Sequence, residues 1–120
     1  MEEVKLGSSR FTKIIVTDEP ALGNRAHHHY QVEGVKVPTA IYAQIDFQDG
    51  PVKETEINGV HHEDLLNIVL HRLQCFQSGD FRCRENALAI TKIEESLMWL
   101  NARTSLRQKK GIEGTNVNHE

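Results

Sequence analysis

This chain is poor in the residues that most covalent chemistry needs. It has only two cysteines, Cys75 and Cys83. They flank a turn where a disulfide is geometrically feasible, but ordinary reduced thiols are the preferred reading. No nucleophile elbow, Walker loop or paired-cysteine motif occurs, and no arrangement of residues argues for an enzyme. No apolar run approaches the ~20 residues of a membrane span. The start, MEEVKLGSSR, is acidic and polar and lacks a secretory or transit signature. These absences point to a cytosolic protein. A net charge of -3 argues against a general nucleic-acid coat, and there is neither an internal repeat nor a low-complexity segment.

What is present is an uneven charge distribution. Residues 82–110 carry seven bases against three acids, whereas the first 81 residues carry twelve acids against seven bases. A small basic zone on an otherwise acidic protein suits a small anion better than a duplex. With 120 residues, 38% hydrophobic and 26% charged, the chain reads as one domain. A chain of this size builds a modest core, for which oligomerisation is a common remedy.

The fold class expected is α+β, a small N-terminal antiparallel sheet followed by a long two-helix hairpin that oligomerises. Within the single domain 1–120, the β-rich part is 11–57, the helical hairpin 59–110 and a polar tail 111–120. Residues 1–9 read as a frayed terminus. Strands are expected at Phe11–Thr17, His27–Glu33 and Ala40–Phe47, separated by turn-forming DEPALGN and GVKVPT. Alternation would place Ile41, Ala43, Ile45 and Phe47 on one face. Val52–Ile57 then leads to the Asn58-Gly59 turn.

The first long helix is expected from His61 or His62 to Gln77, with Glu63 and Asp64 complementing the positive dipole end. Its apolar arc holds Leu65, Leu66, Ile68, Val69, Leu70, Leu73 and Phe76, and Ser78-Gly79-Asp80 breaks it. The second helix should run from Arg84 to Lys110, with Gly111 as its C-terminal cap. Ile90, Ile93, Leu97, Leu100 and Thr104 form one stripe with 3-4-3-4 spacing. Leu88, Trp99 and Leu106 lie nearly opposite. One stripe can pack on the first helix, while the other needs the sheet or another subunit.

His27, His28 and His29 invite a metal reading, but a strand would send His28 to the face opposite its neighbours. A third ligand such as His61, His62 or His71 would have to converge, and nothing in the spacing requires it. A polar strand surface is preferred, and no metal or other cofactor is expected. Glu94 and Glu95 suit a solvated helix face. Arg103 and Arg107, four apart, share a helix face and carry guanidiniums that bind phosphate bidentately. Asn86 can read a base edge or ribose hydroxyl, and Phe76 can stack on a base. Each also has a plainer reading: Phe76 as core, Asn86 as a helix-start residue, the arginines as surface. Asn86 and Arg103 are 17 positions apart on one helix, roughly 25 Å. One small ligand cannot easily touch both in one chain. Two such helices packed antiparallel would join the turn of one chain to the arginine end of the other, giving two equivalent sites.

Residues 46–115 carry a set of motifs that is distinctive in combination. They are FQ-x-GPVKE, NGV-x-x-EDLL, RLQ-x-FQSG, CRENALA-x-TKIEE, WLN-x-RT and the ending G-I-EGT. The segment resembles the phage Thoeris anti-defence sponge family, which shares a helical-hairpin domain with anti-CBASS sponges. HHHYQV also resembles a strand of that family, and the likeness thins before residue 27. The resemblance implies a non-enzymatic binder in the host bacterial cytoplasm. Such proteins sequester cyclic ADP-ribose isomers without cleaving them, so that the defence effector is never activated. It implies homodimers with nucleotide pockets between subunits. In some members it implies hexamers that hold cyclic di- or trinucleotides in a separate site, which has no counterpart identifiable in this sequence. By motif position, the pocket aromatic falls on Phe76, the pocket amide on Asn86 and the phosphate-binding arginines on Arg103 and Arg107. No membrane, DNA or RNA partner is implied. Two other readings compete. One is a small homo-oligomeric interaction protein that docks on a host protein. The other is a metal-dependent hydrolase that uses the histidines.

Overall fold

Segments rich in Ile, Val and Tyr form strands in the N-terminal part because such side chains suit a pleated, half-buried surface. The computed structural model describes residues 2–6, 10–37 and 39–109. The chain divides into two units, one of Met1–Asp49 with Ile57–Val60, the other of Gly50–Glu56 with the chain from His61 onward.

The first unit is a four-stranded antiparallel sheet in the order β1 (Glu2–Val4), β2 (Thr12–Val16), β3 (His29–Gly34), β4 (Ile41–Asp46). The expected meander is present with one more strand. Residues 2–4, expected to fray, pair with β2, Val4 lying opposite Ile14. Three residues are too few to announce a strand, and the neighbouring ladder supplies their hydrogen bonds. Pairing sets Ile14 opposite Val32 and Val16 opposite Tyr30, and Val32 opposite Ala43 and Tyr30 opposite Ile45. These residues alternate onto one face. Tyr30 meets Phe47 edge to face, ring centroids 5.6 Å apart. A register shift at Val32/Glu33 puts Ile41 opposite Glu33, so Ile41 leaves the face it was expected to share with Ala43, Ile45 and Phe47. Among the described residues, Ile15 and Val16 are the buried large apolar ones, and His28 is buried too.

The segment 57–60 returns to the end of β4. Val60 donates its N–H to the Asp46 carbonyl at 2.8 Å, and its own carbonyl accepts from Gln48 N–H at 2.8 Å. The Asn58 side chain accepts from Asp49 N–H and donates to the Asp49 carbonyl, at 2.8 and 2.7 Å. Glycine is required at 59, where a Cβ would lie 2.5 Å from the Phe47 carbonyl carbon and 2.6 Å from the Asp46 oxygen.

The second unit holds α1 (Val52–Thr55), α2 (His62–Gln77) and α3 (Arg84–Lys109). The sequence reading gives Val52–Ile57 as a lead-in; instead Pro51 opens a single turn. Its carbonyl accepts from Thr55 N–H at 2.8 Å and from the Thr55 hydroxyl at 2.9 Å. The two long helices match expectation closely. Asp64 caps the start of α2 by accepting His61 N–H at 2.9 Å. Ser78 closes it, its hydroxyl donating to the Cys75 carbonyl at 2.8 Å. Expected positions Lys110, Gly111 and the tail 111–120 lie outside the described residues.

The α2–α3 seam uses one stripe from each helix. On α3 the half-buried line is Asn86, Ala89, Ile90, Ile93, Leu97, Leu100, Thr104 and Arg107, spaced three and four apart as a helix-packing stripe requires. On α2 it is Leu65, Leu66, Leu70, Leu73 and Phe76. No residue of either helix is fully buried. Ile68 and Val69, expected in the apolar arc of α2, are exposed, as are Leu88, Met98, Trp99 and Leu106 of α3.

Candidate functional site

The turn between α2 and α3 is built by side chains of its own residues. Gln77 reaches across it, its amide oxygen accepting Cys83 N–H at 2.8 Å. Cys83 precedes α3, accepting Asn86 N–H on its sulfur at 3.4 Å and Ala87 N–H on its carbonyl at 3.2 Å. These bonds satisfy donors that a helix start otherwise leaves unpaired. Both cysteines are free thiols and exposed.

This turn borders a concavity of about 570 Å³, open to solvent, with Arg72, Cys75, Phe76 and Phe81 in its wall. Phe76, half-buried, and Phe81, exposed, meet edge to face at 6.2 Å with an interplanar angle of 86°. The Arg72 guanidinium carbon lies 5.1 Å over the Phe76 ring. Residues four apart on a helix are neighbours, which brings Arg72 onto Phe76. The volume lies in the range of small-molecule pockets, and the wall combines an apolar lining with one cationic group. His71 Nε2 and Cys75 Sγ are 3.9 Å apart in the same wall, a loose contact.

The residues singled out in the sequence fall into two groups. Phe76 ends α2 within the cavity wall, and Asn86, half-buried, lies in the first turn of α3 at the same end of the hairpin. Arg103, exposed, and Arg107, half-buried, lie near the far end of α3. The 17 residues between Asn86 and Arg103 span roughly 25 Å of helix. One chain therefore places Phe76 and Asn86 at one end of the hairpin and Arg103 and Arg107 at the other. Arg72 and Phe81 were missed. The spacing of four between Arg72 and Phe76 could have revealed the first; Phe81 is a single aromatic in a turn and carries no periodic signal.

The histidine triplet has a different role from the polar strand surface expected. His27 and His28 precede β3, and only His29 lies in it. Asp18 organises all three: its carboxylate accepts His28 N–H at 2.8 Å and His29 N–H at 3.3 Å, and its carbonyl lies 2.9 Å from His27 Nδ1. Burial of Asp18 opposes its ionisation. The two amides and the imidazoles of His29 and His27 outweigh that, so its pKa lies below the ordinary 3.8. His28 Nε2 is 3.7 Å from Asp49. His29 Nδ1 contacts Asp46 at 2.7 Å, and this hydrogen bond, aided by the carboxylate charges of Asp46, Asp18 and Asp49, outweighs desolvation and raises the His29 pKa above 6.5. The histidines are thus engaged in pairs with carboxylates. No helix among the described residues is long and apolar enough to cross a membrane.

Comparison with known proteins concentrates on the hairpin. The family described as Acb2/Tad1, hairpin domain, matches residues 39–105. Over 106 residues the chain is 44% identical to Thoeris anti-defense 1 of Bacillus phage SBSphiJ7, a match covering 85% of this chain and 75% of that protein. The matched region includes Phe76, Asn86, Arg103 and the cavity wall, and the likeness extends well beyond the hairpin. The chain therefore belongs to the Thoeris anti-defence family of phage proteins that carry the Acb2/Tad1 hairpin domain.

Proposed function

We propose that this protein binds cyclic ADP-ribose-type signalling nucleotides inside the host cell and holds them intact, so that the Thoeris effector is not activated. The observation that carries the reading is the division of candidate binding groups between the two ends of the hairpin. An aromatic and an amide stand at one end, and two guanidiniums at the other. The exposed Leu88, Trp99 and Leu106, with Trp99 71% accessible, supply an apolar stripe on which a second α3 can lie. In an antiparallel pair, the turn end of one protomer, with Phe76 and Asn86, lies beside the arginine end of its partner, with Arg103 and Arg107. The guanidiniums neutralise the pyrophosphate, the aromatic end receives the base, and Asn86 fixes a ribose or base. Burial between protomers then hides the ligand from its receptor. The ligand class follows from the family resemblance; cyclic di- and trinucleotides belong in the same test because the hairpin is shared with anti-CBASS proteins.

Native mass spectrometry with a panel of cyclic ADP-ribose isomers and cyclic oligonucleotides tests this. The expected result is an even-numbered oligomer from which denaturation releases intact ligand. Recovery of a cleaved ligand would make the protein an enzyme. A charge-assisted hydrogen bond contributes roughly 1.5–3 kcal/mol and a tenfold change in affinity is about 1.4 kcal/mol, so Arg103→Ala and Arg107→Ala should each weaken binding about tenfold or more. Unchanged affinity in both variants would place the site elsewhere. The accessible Trp99 favours one other reading, a homo-oligomer that docks on a host protein, which expects no nucleotide affinity at all.

A further inference from the structure

Arg72 stands out among the charged residues of the hairpin. No carboxylate among the described residues pairs with it, and its guanidinium lies against the Phe76 ring in a wall that is apolar apart from it and His71. A free arginine usually spreads its charge over many rotamers, and binding must first restrict them. Packing on Phe76 does this in advance. The guanidinium then has the phenyl ring beside it and N–H donors around its planar rim. Phe81, 75% exposed and set at 86° to Phe76, adds a second aromatic beside it.

We infer that Arg72 is a ligand-contacting residue of the nucleotide site, a third guanidinium supplied by the aromatic end of the hairpin. It rests on the binding reading above and changes it in one respect: the base stacks on the Phe76-backed guanidinium rather than on the bare ring. The rim of the same guanidinium donates to a phosphate oxygen. This end of the site therefore selects a flat ring with a nearby negative charge, and discriminates against an uncharged nucleoside. Arg103 and Arg107 of the partner protomer would approach the pyrophosphate from the other side.

The test uses the full chain with cyclic ADP-ribose and its glycosidic isomers, by calorimetry at two salt concentrations. Arg72→Met keeps the length and apolar stem but removes the charge and the planar head. It should weaken the best-bound isomer about tenfold and flatten the rise of Kd with salt, because one charged contact is gone. Arg72→Lys, which keeps charge without the fork, should restore the salt dependence but only part of the affinity. Thermal melting of each variant separates loss of contact from loss of fold, and a variant that melts early is replaced in the comparison by the other. If the unaltered protein binds every isomer tested and both variants match it in affinity and salt dependence, Arg72 is not part of the site while the binding function stands. If the unaltered protein binds none of the isomers, the binding reading falls, and this inference with it.

Discussion

The sheet unit and the helical unit solve the problem of a small core in opposite ways. The sheet unit buries Ile15, Val16 and His28 and ties its loops down with side-chain hydrogen bonds. Asp18 holds the approach to β3, and Asn58 holds the return segment to the end of β4. The helical unit has longer elements and more apolar side chains, yet no residue of α2 or α3 is fully buried. Its seam closes along one stripe, and Trp99 and Leu106 are left in solvent. Polar anchoring can finish a small sheet within one chain. In the helical hairpin such bonds fix the start of α2 and the turn, while the second stripe of α3 stays exposed along its length.

The contrast can be broken most directly at Trp99. If two α3 helices cover each other, Trp99→Asp places a charge in the shared surface and should cost roughly 2–4 kcal/mol of association, as aromatic anchors do. Sedimentation should then show protomers where the unaltered protein sediments as an oligomer. Next in size is Leu97→Ala in the seam. Truncating a half-buried leucine should lower stability by about 2 kcal/mol, toward the bottom of the range for core leucines. Loss of helical circular dichroism should come at a lower temperature, with the amides of β2 and β3 keeping their exchange protection. The converse variant is Asp18→Ala. It leaves the buried His28 N–H without its acceptor, a cost of about 1.5 kcal/mol, and should speed amide exchange in the sheet while sparing α2 and α3.

The smallest effect expected is on pH dependence. The bond to Asp46 raises the His29 pKa, so its contribution is complete below about pH 6.5 and is lost as pH rises through the folded-state value. Both partners are largely exposed, which limits the change to below about 1 kcal/mol. His29→Gln should abolish this alkaline decline, read from melting curves between pH 6 and 9. Asp18 acts at the other end. Its lowered pKa gives stability that is present above 3.8 and lost as pH falls through the folded-state value.

The long elements could be read from the residues because many positions agree. A stripe with spacing of three and four and a Ser-Gly-Asp break placed α2 and α3 within a residue or two of their observed ends. The short elements could not. β1 and α1 have three and four residues, and each exists through a neighbour, the β2 ladder in one case and the Thr55–Pro51 bonds in the other. The histidine triplet was misread for a similar reason. Its environment depends on Asp18, about ten residues upstream, and no local pattern links them. At the candidate site, Phe76 was recognisable as an aromatic at a helix end. Arg72 was passed over although helical spacing alone sets it beside Phe76. The separation of Asn86 from the arginines followed from helix rise. In the pairing proposed above, what lies across from them belongs to a second chain, which one sequence describes only through its exposed stripe.

The return of residues 57–60 to the end of β4 has a consequence for inheritance. The family match starts at residue 39, two residues before β4 begins, rather than at the hairpin itself. Val60 and Asn58 take their partners from Asp46, Gln48 and Asp49, and position 59 tolerates only glycine because that backbone lies against it. A hairpin transplanted from residue 61 would leave its lead-in behind, and one cut at 57 would carry a segment stripped of its partners. Keeping those bonds requires β4 to travel with the hairpin, and β4 in turn takes its ladder bonds from β3, so a transfer that respects the fold carries strands of the sheet along with the helices.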